Sequence, residues 1–143
     1  MNKRVLILFA FLVGTVWLHA QGPIRDRIKT LKVAFITERV GLTSQEAQQF
    51  WPIYNEHEDA LENIRRKEMQ SRLSAAQGLS EGESAALLDN LLALQTEKYE
   101  ADQDFISKIR KVISPKKVLL LLKAEDDFKK RLLQQYRRRQ EGG

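Results

Sequence analysis

The sequence predicts an all-α fold, an elongated, hairpin-like protomer built from four long amphipathic helices. Three observations carry this. Apolar residues recur three and four positions apart over long stretches. A residue able to cap a helix N-terminus (Thr43, Ser80 or Ser114) precedes three of those stretches. Strand signals are nearly absent. The one dense apolar run, Val118-Leu119-Leu120-Leu121-Leu122, is rich in Leu and follows Ser114-Pro115, which favours helix.

The first helix is expected over residues 23–40. Pro23 suits a first helical position, and Ile24, Ile28, Leu31 and Phe35 form one apolar stripe. Gly41 can end the helix as the left-handed residue after its last turn. The second helix is expected over 44–76. Thr43 caps it and Glu46 completes a capping box. Its seam is Ala47, Phe50, Tyr54, His57, Leu61 and Ile64, widened by Trp51 and Ile53. Pro52 removes one backbone bond and should bend it. Past Ile64 the seam fades into a charged rod, closed by the turn Gln77-Gly78-Leu79.

The third helix is expected over 81–112, with Ser80 and Glu83 repeating the capping box. Leu87, Leu91, Leu94, Ala101, Phe105, Ile109 and Val112 form its seam. The fourth follows Ser114 and begins at Pro115, with Val118, Leu121, Leu122, Phe128, Leu132 and Tyr136 facing inward and residues 140–143 fraying. At about 1.5 Å per residue, the second and third helices would each reach roughly 45–50 Å. No Pro/Gly/Ser-rich linker interrupts them, so residues 21–143 read as a single helical domain.

Residues 1–20 read differently. Met1-Asn2-Lys3-Arg4 is a short basic start, and Val5 to Trp17 is an uncharged run of 13 residues, followed by Leu18-His19-Ala20. This is the layout of a cleavable signal peptide, and the run is short of the roughly 20 residues a spanning helix needs. The expected destination is the periplasm; an uncleaved membrane anchor is the rival reading. The chain has no Cys, so stability must come from helix packing or self-association.

Charge is uneven. Residues 115–143 hold 9 basic and 4 acidic side chains, while residues 21–114 hold 13 basic and 15 acidic. In an exported chain a basic end argues for an acidic partner or weak contact with an anionic membrane surface, and against nucleic acid. The cations are Lys129, Lys130, Arg131, Arg137, Arg138 and Arg139. They read first as a solvated C-terminus that suits the helix dipole, and second as a binding patch for an acidic partner or lipid head groups.

No catalytic constellation is found. His57 is the only His after residue 20 and reads as a packed or partly exposed structural residue, since a soft-metal site needs several ligands at helical spacing. No Ser lies in a nucleophile-elbow context, and Asp102, Asp104 and Glu125-Asp126-Asp127 read as solvated helix faces. No cofactor is expected. Phe50, Trp51 and Tyr54 read first as core and second as an apolar surface that receives other chains.

The two phrases Leu42-Thr43-Ser44-Gln45-Glu46 and Ile113-Ser114-Pro115-Lys116-Lys117 resemble the repeated Leu-Thr-x-x-Gln (LTxxQ) motif of the Spy/CpxP-like periplasmic family. Phe50-Trp51-Pro52-Ile53-Tyr54 looks like the branch often labelled "sensor of ECF-type sigma factor". The motif residues are Leu42, Thr43, Glu46, Ile113 and Ser114. Glu46 stands where the family has Gln and can still cap; Lys117 cannot, which leaves Ser114 alone at the second copy. The metal-sensing relatives' His, Cys and Met ligands have no counterpart here. The resemblance implies a protomer that often forms a curved homodimer with a basic and apolar concave face. It implies a stress-response role: an ATP-independent chaperone holding unfolded envelope proteins, with contacts around Phe50, Trp51, Tyr54, Leu121 and the basic tail. The alternative is an accessory regulator bound to one envelope signalling protein.

Overall fold

A computed structural model describes residues 22–142. The expected signal peptide and its cleavage point lie outside the described residues. Among these residues the fold is all-α, with four helices and no strand: α1 (Gly22–Val40), α2 (Ser44–Ala75), α3 (Glu81–Ile109) and α4 (Pro115–Glu141). None of them is long and apolar enough to cross a membrane. Where the sequence reads as one helical domain, the helices group into two compact units, residues 22–39 with 123–142 and residues 40–122.

Each corner in the 40–122 unit follows from local chemistry. Gly41 and Gly78 take φ of 66° and 78°, a conformation that a Cβ disfavours and that ends a helix. Thr43 Oγ1 accepts the Glu46 N–H at 3.2 Å, and Glu46 Oε2 accepts the Thr43 N–H at 2.8 Å, closing the capping box. Ser80 and Glu83 make the same reciprocal pair at 3.3 and 2.9 Å. α3 stops at Ile109, short of the expected 112. The Ile113 N–H donates back to the Ile109 carbonyl, and Ile113 itself is buried, so the chain tightens and turns before Ser114. The Ser114 hydroxyl then accepts the Lys117 N–H at 3.3 Å. α2 runs unbroken through Pro52.

α2 and α3 pack as an antiparallel pair. Glu56 meets Lys108, His57 meets Asp102 and Lys67 meets Glu97, so residue numbers rise on one helix as they fall on the other. The seams expected from periodicity supply the core: Phe50, Tyr54 and Ile64 from α2, Leu94, Phe105 and Ile109 from α3, with Val118 and Leu121 of α4 also buried. Rings run in continuous contact through it. Phe50 stacks on Tyr54 at 5.4 Å, Tyr54 meets Phe105 edge-on at 6.1 Å, and His57 lies flat on Phe105 at 4.2 Å. Full burial of such side chains contributes about 1.5–3 kcal/mol each.

In the other unit, Phe35 of α1 packs against Phe128 of α4 at 5.6 Å, and the Arg131 guanidinium sits 4.8 Å over the Phe35 ring. Ile36, Ala124 and Phe128 are buried. Three expectations are corrected. Leu122 and Tyr136 of α4 are exposed, and Ala124 takes an inward position instead. The α1 stripe is covered only at Phe35; Ile24, Ile28 and Leu31 stay exposed. Where the sequence ends the last helix before 140, α4 reaches Glu141, and the Gln140 side-chain amide donates to the Tyr136 hydroxyl at 2.8 Å.

Candidate binding surface

Residues 42–46 and 113–117 meet in space. Lys117 reaches back to the start of α2: its Nζ donates to Glu46 Oε2 at 2.6 Å and to the Gly41 carbonyl at 2.7 Å. One Glu46 oxygen thus serves the Thr43 cap and the Lys117 ion pair together. The bond from Lys117, then that from the Thr43 N–H, holds the Glu46 carboxyl below the ordinary carboxylate range. Leu42 is half-buried and Ile113 buried beside these polar contacts. The motif residues therefore build a corner, and their polar atoms are engaged with one another.

Sequence spacing gave no sign of a partner for His57. His57 Nε2 lies 2.9 Å from Oδ1 of Asp102, 45 residues away. Burial pushes the Asp102 carboxyl up, but bonds from Lys98 and His57 outweigh it and hold the group below its ordinary value. The His57 side chain is 10% exposed and its Nδ1 is buried without a hydrogen-bond partner. The signal that could have found the pair is register: an antiparallel α2–α3 hairpin sets residue 57 near 102. Among the described residues no group of three or more His, Cys, Asp or Glu could hold a metal ion.

Several residues expected on a partner surface are core. Phe50 and Leu121 are both 0% exposed and Tyr54 is buried, so none of the three can meet a partner of the folded chain. Trp51 is half-buried, edge-on to Phe50 at 4.9 Å. The expected cations Lys129, Lys130, Arg131, Arg137, Arg138 and Arg139 are all exposed. Two of them have partners within the unit: Lys130 pairs with Asp126 at 2.5 Å, and Arg131 covers Phe35.

The exposed apolar load lies elsewhere. On α3, Leu88, Leu92 and Tyr99 are 61–62% exposed, and their spacing of four and seven sets them on one stripe beside the inward seam. Half-buried Ile106 extends it into an open depression of about 720 Å³ lined by Tyr99, Gln103, Ile106 and Arg110. A second open depression, of about 700 Å³, lies between the distal parts of α2 and α3. Both suit extended chain contact better than enclosure of a small ligand. Leu119, Leu120 and Leu122 are exposed on the first turns of α4. These residues escaped sequence reading because periodicity marks an apolar face without saying whether anything covers it.

No family model, no curated protein and no solved structure matches the chain.

Proposed function

We propose that the chain is a non-enzymatic, periplasmic stress-response protein of the Spy/CpxP type, acting as an ATP-independent holder of unfolded or stress-exposed envelope proteins, as a homodimer. One observation carries this reading: Leu88, Leu92 and Tyr99 stand at helical spacing on one face of α3, open to solvent, with exposed Gln95 between Leu92 and Tyr99. Exposed apolar side chains gathered on one face and rimmed by polar residues mark an interaction site. A shallow stripe accepts chains of many sequences because it demands no fixed shape. The exposed cations of α4 add long-range attraction for acidic chains. The fully engaged motif corner supports the view that Thr43 and Glu46 set architecture and touch no ligand.

The deciding measurement is light scattering of a denatured client diluted into buffer with the protein at stoichiometric amounts. The expected result is suppression of aggregation, weakened by Leu88→Ser with Leu92→Ser. Absence of suppression at both low and moderate salt overturns the proposal.

A further inference from the structure

The apolar stripe of α1 changes character along its length. At Phe35 it is covered by Phe128 and Arg131 within its own unit. The same stripe continues toward the N-terminus through Leu31, Ile28 and Ile24, which are 51, 36 and 63% exposed. These two turns keep much of their apolar surface open to solvent. On a helical wheel Arg27 borders the stripe on one side, and Arg25 and Lys32 on the other. Asp26 lies on the far face, where its backbone carbonyl accepts the Thr30 hydroxyl at 2.9 Å. The rest of the unit is basic too: residues 22–39 and 123–142 together hold 12 Lys or Arg against 6 Asp or Glu. Residues 40–122 hold 10 basic against 13 acidic.

We infer that the N-terminal half of α1 lies on an anionic lipid surface, with Ile24, Ile28 and Leu31 entering the headgroup boundary and the exposed Arg25 and Arg27 meeting lipid phosphates. A narrow apolar stripe bordered by Lys and Arg is the form of an interfacial helix. The exposed Leu133 and Tyr136, with Arg137 to Arg139, belong to the same basic unit and add to its attraction for anionic headgroups. Charge decides the occupant. A second copy set on this face by two-fold symmetry would bring cations against cations, whereas an anionic leaflet neutralises them. The α3 stripe belongs to the other unit, residues 40–122.

Co-sedimentation of the full chain with phosphatidylglycerol-containing and pure phosphatidylcholine vesicles tests this. The apolar run Val5–Trp17 would bind both vesicle types and Lys3 and Arg4 would add some anionic preference of their own, so the inference stands on the part of the preference that the α1 substitutions remove. The expected result is binding at least about tenfold tighter to anionic vesicles, falling as salt rises. That preference should fall in Arg25→Glu/Arg27→Glu, and binding should weaken in Ile24→Ser/Ile28→Ser/Leu31→Ser with helicity by circular dichroism unchanged. Equal binding to both vesicle types, or an unchanged preference in the Arg variant, overturns it. Binding to polyglutamate without binding to anionic vesicles also overturns it, in favour of an acidic protein partner. Leu88→Ser/Leu92→Ser should leave vesicle binding unaltered, which separates this inference from client holding.

Discussion

Glu46 and Lys117, 71 residues apart, form an ion pair at 2.6 Å. Lys117 forgoes a capping role at its own helix and instead bonds Glu46 and the carbonyl of Gly41, the residue that ends α1. The pair thereby fastens the start of α4 to the α1–α2 corner within residues 40–122.

This linkage predicts an acid-sensitive corner. The Glu46 carboxyl titrates below its ordinary 4.5 in the folded chain, first through Lys117 and then through the Thr43 N–H. Its stabilising contribution is complete above the unfolded value and is lost as pH falls through the lower folded value. Glu46→Gln can still accept the Thr43 N–H but cannot pair with Lys117. Urea unfolding should show Glu46→Gln less stable than wild type near neutral pH, with the gap closing as pH falls below the ordinary 4.5. A gap that does not change with pH would rule out the ion pair as its source.

The caps should be separable from that pair. Thr43→Ala and Ser80→Ala each remove a hydroxyl that accepts an otherwise unpaired N–H, at 3.2 and 3.3 Å. Each is expected to cost about 1 kcal/mol in chemical denaturation. Replacement by Asn, another capping residue, should restore most of it. Failure of Asn to rescue would place the loss in packing rather than capping.

These caps were legible in the sequence because they depend on residues three apart, as were the α2 and α3 seams, because helical periodicity repeats an apolar face. The Glu46–Lys117 and His57–Asp102 contacts were not, because each joins distant residues through a register that spacing leaves open. The outward placement of Leu122 and Tyr136 was hidden for a related reason. Five apolar residues run from Val118 to Leu122, yet a helix turns only part of such a run inward. Phe50 was readable as core from its seam position; the second reading, as surface, fails on burial.

His57 offers a sharper test of what a buried polar group contributes. Its ring lies parallel to Phe105 within 9°, and its Nδ1 is buried and unpartnered. An unsatisfied buried polar atom costs about 1–3 kcal/mol, against about 1 kcal/mol gained by a typical hydrogen bond. His57→Phe keeps a ring on Phe105, removes the orphan nitrogen and leaves Lys98 bonded to Asp102 at 2.8 Å. The variant should be neutral or more stable by up to about 1 kcal/mol. A marked loss in thermal unfolding would mean that the Nε2 bond to Asp102 outweighs the orphan.

Core and stripe should respond in opposite ways to truncation. Phe50 and Leu121 are fully enclosed, so replacing either by Ala removes buried apolar surface and leaves a cavity. The expected losses are about 3–5 kcal/mol for Phe50→Ala and about 2–5 kcal/mol for Leu121→Ala. Leu88 and Leu92 already face water, so Leu88→Ser and Leu92→Ser should each stay within about 1 kcal/mol of wild type, helix propensity being the main term. If the α3 stripe serves a partner, these two substitutions weaken binding without weakening the fold. A loss of stability that depends on protein concentration would instead place the stripe at an interface between two copies of the chain, since mass action then couples folding to association.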